Sequence, residues 1–142
     1  MNKSEKRLYL ANSLSQTWVM SYIGGNALFT IIYLNNMNVD VWLGIFIMLN
    51  IGLSLVAFLM AVRQKMYTPF WGYVGIAFAV FQFARLLWMP EEIVGSVRLL
   101  SVALLIMTGI AILVGSIICI KRSQERQQFI IDNNIDLATL QR

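Results

Sequence analysis

Residues 67–90 read YTPFWGYVGIAFAVFQFARLLWMP. As a helix this run is long enough to cross the hydrocarbon core of a bilayer, which takes about 20 apolar residues. It is also the most aromatic part of the chain, with Phe70, Trp71, Tyr73, Phe78, Phe81, Phe83 and Trp88. Pro69 suits a first helical turn, where a missing N–H costs nothing. Near the far end stand Gln82 and Arg85, three apart and therefore neighbours on one helical face. Arg85 is the only charged residue well inside an apolar segment.

Outward from this run, the chain falls into three more segments of the same kind, over about 17–34, 41–62 and 98–120. The turns between them are NNMNVD at 35–40, a basic RQK around Arg63 and Lys65, and MPEE with Pro90, Glu91 and Glu92. Of the 142 residues 58% are hydrophobic and 13% are charged. Soluble domains carry roughly 25% charged residues, so lipid must replace water around much of this chain. The expected fold is all-α: a polytopic membrane protein of four antiparallel transmembrane helices joined by short turns.

Eleven Lys and Arg stand against seven acids, a net charge of +4. They gather at segment ends: Lys3, Lys6 and Arg7 before the first, Arg63 and Lys65 after the second, Lys121, Arg122, Arg126 and Arg142 after the fourth. Both termini are then expected on the cytoplasmic side of a bacterial membrane. Such clusters point to anionic lipid headgroups and not to nucleic acid. Residues 1–16 read as an amphipathic juxtamembrane segment with Trp18 as anchor, followed by an uncleaved first span. The tail 121–142 starts polar and then carries Phe129, Ile130, Ile131, Ile135, Leu137 and Leu140. Asn133 and Asn134 should break it, with a short amphipathic helix beyond Asp136.

Each span carries one small or polar stripe at helical spacing. These are Ser21 with Gly24 and Gly25; Asn50, Ser54, Ala57 and Ala61; Gly72, Gly75, Ala79 and Gln82; Ser101, Thr108, Ala111, Gly115 and Cys119. In lipid, apolar bulk gives helices no reason to associate, whereas close backbone approach and interhelical hydrogen bonds do. The stripes should therefore face one another; the alternative is a polar pathway.

The candidate site residues are Gln82, Arg85, Asn26, Asn50, Arg98 and Trp88. Asn26, Asn50 and Gln82 are amides that must find partners away from water. Arg85 has two readings. It reaches the outer headgroups or pairs with Glu91 or Glu92, or it forms an anion site with Gln82 and Arg98, ringed by Trp88 and Phe81. A phosphate headgroup or a quinone carbonyl suits such donors.

Absences narrow the function further. The chain has no His and one Cys, Cys119, which removes imidazole bases, an internal disulfide and Cys-rich or His-based metal sites. No Asp or Glu falls inside a span, so the embedded carboxylate of a proton-coupled antiporter is missing. The four-helix small multidrug exporters share this layout of spans, but their first-span glutamate has no counterpart here. No paired carboxylates, serine–base pair or phosphate loop appears. The expected protein is non-catalytic and needs no cofactor or metal. It is a subunit or accessory protein of a membrane complex, with lipid and other membrane proteins or its own copies as partners. The alternative is a self-assembling channel or transporter for a small solute or lipid, built on the polar residues.

Overall fold

The computed structural model describes residues 12–136. Every regular element in that range is helical. The helices are α1 (Ser13–Asn36), α2 (Val41–Lys65), α3 (Pro69–Ala84) and α4 (Gly95–Asp132). A 3-10 turn, Arg85–Trp88, prolongs α3. All four are long and apolar enough to cross a membrane, α3 together with its 3-10 turn.

The helix starts follow local chemistry. Asn12 caps α1, its Oδ1 accepting from Ser15 N at 3.3 Å. Asp40 caps α2, accepting from Leu43 N at 2.7 Å. Both satisfy an N–H that has no partner inside the helix. Pro69 opens α3. Gly95, at φ +67°, turns the chain into α4 with a backbone conformation that glycine adopts freely. At the other end of α4, Asn134 adopts φ +47° just past Asp132, so the expected asparagine break falls where the helix stops.

Successive helices run antiparallel, as the pairs along them show. Ser15 of α1 meets Gln64 near the end of α2, and Asn26 meets Asn50. Gln64 meets Trp71 at the start of α3, and Gln82 near its end meets Thr108 of α4. The broad interfaces are α1 with α4, α3 with α4, and α1 with α2; α2 and α3 pack only narrowly. Glycines set the closest approaches. A Cβ on Gly75 would run into Ser116 Oγ, one on Gly25 into the Thr108 methyl, and one on Gly72 would come within 2.6 Å of Ile120 Cγ1. The side chain of Phe83 lies over Gly109 in the same way, at 2.8 Å from a built Cβ.

Some expectations change. α1 begins at Ser13, and Ser15 is buried in the bundle, so the helix starts within the stretch expected to lie at the headgroups. Residues 1–11 of that stretch are outside the described residues. The buried face of α1 is Ser15, Val19, Tyr22, Asn26 and Phe29, not a face centred on Ser21. Ser21 is exposed and donates to Thr17 O and Trp18 O of its own helix. Gly24 likewise has open space where Gly25 touches Thr108. The stripes of the other three helices point inward. α4 is one continuous helix through the polar segment to Asp132. The short helix expected beyond Asp136, with Leu137 and Leu140, lies outside the described residues.

The bundle is layered along its length. At the end bearing Arg63, Lys65, Lys121 and Arg122, here the basic end, a polar layer joins Ser15, Gln64 and Ser116. Next comes a hydrophobic layer of Val19, Tyr22, Ala57, Met60, Ala79 and Ile112. A second polar layer holds Asn26, Asn50, Gln82, Arg85 and Thr108. Phe29, Met89, Ile93 and Leu105 close the far end, beside the exposed Asp40, Glu91 and Glu92.

Candidate functional site

The second polar layer is assembled around one side chain. Arg85 begins the 3-10 turn, where the chain tightens ahead of Pro90. Arg85 follows Gln82 by three residues, so the two side chains share one helical face. Met89 is extended, as a residue before proline must be, and this ends the helix. Arg85 is only 8% exposed. Its guanidinium turns inward: Nη1 donates to Gln82 Oε1 at 3.1 Å and to Asn26 Oδ1 at 3.4 Å, and Nη2 donates to Asn50 Oδ1 at 3.0 Å. Asn26 lies ten residues from the end of α1, roughly 15 Å along the axis at 1.5 Å per residue. The arginine thus reaches toward the middle of the bundle. The outward reach and the pairing with Glu91 or Glu92 do not occur: no carboxylate lies within ion-pair distance of it among the described residues.

The amides that hold Arg85 are themselves held. Asn50 Nδ2 donates to Phe46 O at 2.8 Å. Asn26 Nδ2 donates to Ser54 Oγ at 3.1 Å and Asn50 O at 3.3 Å. Gln82 Nε2 donates to Thr108 Oγ1 at 2.8 Å, and that hydroxyl donates back to Leu104 O at 2.7 Å. Each amide therefore presents its oxygen to Arg85 because its nitrogen is engaged elsewhere. Four helices contribute to the layer, which gives it the geometry of a clamp on one cation.

Two aromatic rings complete the clamp. The guanidinium carbon lies 5.0 Å from the Phe29 ring centroid and 5.8 Å from that of Phe46. Tyr33 stacks on Phe46 at 3.7 Å. Beside them, in the wedge where α2 and α3 pack narrowly, lies a cavity of about 310 Å³ walled by Phe29, Tyr33, Phe46, Phe81, Arg85 and Trp88. Trp88 stands at its rim, 72% exposed.

The energetic cost of the buried arginine is met, but its charge stays unpaired among the described residues. Placing an arginine in a span costs about 2.5–3.5 kcal/mol on insertion scales. Hydrogen bonds between membrane helices return about 0.6 kcal/mol each, and a cation–π contact about 0.5–2 kcal/mol. Dipoles and rings therefore offset the placement without neutralising it. Of the five N–H donors of a guanidinium, three are engaged. Nε–H and one Nη2–H have no acceptor among the described residues, and Arg85 lines the cavity. The site can accept an anionic or strongly polarised oxygen.

Of the candidates read from sequence, the structure brings together Gln82, Arg85, Asn26 and Asn50, with Trp88 at the cavity rim. Arg98 stands apart: its Nη1 donates to Pro90 O and Ile93 O, both at 3.2 Å, and so holds the 89–94 turn. Sequence reasoning missed the first polar layer. Gln64, fully buried, donates through Nε2 to Trp71 O at 3.0 Å and to Ser116 Oγ at 3.2 Å. Its Oε1 faces Ser15 Oγ at 2.5 Å, and that hydroxyl also faces Gly115 O at 2.7 Å. The signal was there for Gln64, which continues the Asn50, Ser54, Ala57, Ala61 stripe by one more step of three. No group of metal-binding side chains occurs among the described residues. No protein-family model matches the chain, and no curated protein or solved structure matches it.

Proposed function

We propose that the chain is a small non-catalytic integral membrane protein, an accessory subunit that holds the head of a membrane-dissolved amphiphile at Arg85. The observation that carries this reading is a buried guanidinium clamped by neutral amides, with two donors left unengaged, on the wall of an aromatic cavity between two loosely packed helices. An uncompensated cation in a low-dielectric site favours an anion, or failing that a polarised carbonyl, as its partner. The aromatic walls suit an apolar body attached to that head, as ligand sites usually combine a few polar groups with apolar walls. The concentration of basic residues at one end supports the orientation with both termini cytoplasmic.

The transporter reading draws less support. A hydrophobic layer from Val19 to Ile112 separates the two polar layers, and every helix contributes an apolar side chain or alanine to it. A solute crossing a single copy would have to pass through that layer. The Arg85 site is therefore read as a seat and not as a step on a path.

The test is retention of ligand by protein extracted gently from native membrane and examined by mass spectrometry, with rebinding in nanodiscs. The probes are a long-chain fatty acid, phosphatidylglycerol and a neutral quinone, which separate carboxylate, phosphate and carbonyl. One of them should bind to the native chain with its head at Arg85. Arg85→Lys keeps the charge but loses the planar fork, and should weaken binding about tenfold, the ratio for one charge-assisted hydrogen bond. Equal retention by native protein and a folded Arg85→Lys or Arg85→Gln variant, for all three probes, would sink the proposal.

A further inference from the structure

A second site lies at the basic end, beyond the bundle core. α4 continues past the apolar stretch that stops at Ile120 and carries Ser123 and Arg126 on one face, three residues apart. This extension faces the turn after α2. Between them is a cavity of about 400 Å³, with Tyr67 and Pro69 on one side and Ser123, Arg126, Gln127 and Ile130 on the other.

The wall of this cavity holds donors that the fold leaves unused. Arg126 Nε is buried and has no hydrogen-bond partner, and the same is true of Ser123 Oγ. Ser123 as a whole is 8% exposed. The Cys119 thiol one turn back offers it at most a weak hydrogen bond. The Arg126 guanidinium lies 4.9 Å from the Tyr67 ring centroid, which positions the cation without neutralising it. Burying a donor without an acceptor is costly, and more so when the donor is charged. Two such donors on one cavity wall make a site for an anion with several acceptor oxygens.

Depth identifies the anion. From Gly95 to Ile120 α4 rises roughly 38 Å at 1.5 Å per residue, against a bilayer of roughly 40–45 Å including its headgroups. On the membrane placement proposed above, Ser123 and Arg126 lie where α4 leaves the headgroup region. We infer that Ser123 and Arg126 bind the phosphate of an anionic phospholipid in the leaflet at the basic end. This uses the membrane placement proposed above but is independent of the Arg85 site.

The experiment compares lipid retention by native mass spectrometry after release from phosphatidylcholine nanodiscs doped with phosphatidylglycerol. The native chain should keep phosphatidylglycerol in preference to phosphatidylcholine. Arg126→Ala should weaken that binding about tenfold and Ser123→Ala about threefold, the ratios for one charged and one neutral hydrogen bond. The loss on Arg126→Ala should be the same in the native and the Arg85→Lys chains, whereas a loss that follows Arg85→Lys alone belongs to the Arg85 site, so failure of one site is told apart from failure of the other. Should Arg126→Ala disturb folding, Arg126→Gln keeps the length of the side chain and should show the same loss. Unchanged retention in folded Arg126 and Ser123 variants, or equal binding of the two lipids, overturns the inference. So does displacement of the lipid by an equal concentration of inorganic phosphate, which would make a soluble anion the ligand.

Discussion

The layer around Gln64 and the layer around Arg85 sit about 16 Å apart along the same bundle, taking Ser15 and Asn26 as markers at 1.5 Å per residue. Both are built mostly from amides and hydroxyls, and both join helices that are not neighbours in sequence. Their chemistry diverges at one residue. Around Gln64 every partner is neutral, glycines bring the backbones close, and the amide is satisfied by Trp71 O and Ser116 Oγ. Around Arg85 the amides are arranged to serve a cation, and a cavity adjoins it. The first layer is what helix association in lipid requires. The second exceeds that requirement, since a neutral side chain would have joined the same amides without the cost of a buried charge.

This contrast can be broken at the glycine contacts, where the largest effect is expected. Gly75→Leu drives a branched side chain into Ser116 and toward Gln64, whose Nε2 would already be 3.0 Å from a Cβ. Overpacking of this kind should cost on the order of 3 kcal/mol, seen as loss of monodisperse protein and of cooperative unfolding in detergent. Arg85→Ala comes next. It leaves the oxygens of Gln82, Asn26 and Asn50 without their donor and should lower stability by about 1–3 kcal/mol. Thermal unfolding in detergent would measure it. No change there would mean that the amides repair themselves and that Arg85 has no structural share.

Gln64→Ala sharpens the comparison from the other side. Ser15 keeps Gly115 O as acceptor, so the loss should be near 1 kcal/mol, within the range for membrane hydrogen bonds. Amphiphile retention at Arg85 should be untouched, and a fall in it would join the two layers into one functional unit. The smallest effect is expected at Gly24→Ala, within about 0.5 kcal/mol, because nothing lies within 4 Å of the added Cβ. Gly25→Ala should be visibly worse in the same assay, since that Cβ meets the Thr108 methyl.

The misread residues share a physical origin. Ser15 fell in a stretch assigned to the headgroups because basic residues precede it, yet Asn12 caps the helix early and carries Ser15 into the interface. Gln64 stood between Arg63 and Lys65, so charge suggested a turn. The helix in fact continues to Lys65, and the polar side chain on the inward face is buried while its charged neighbours stay outside. Ser21 looked like an interface residue by composition, but a serine can also satisfy itself against its own helix, as its bonds to Thr17 O and Trp18 O show.

Hydropathy and spacing alone determined the four helices, their order, the inward stripes of α2, α3 and α4, and the proximity of Gln82 to Arg85. These follow from period and length, which are local properties of the chain. The direction of the arginine was not local. A guanidinium near the end of a span has two ways to meet polar partners, outward to water or inward to amides. The choice depends on whether Asn26 and Asn50, on other helices, present their oxygens at its depth. Only the packed bundle brings those oxygens to Arg85, and with them the cavity beside it.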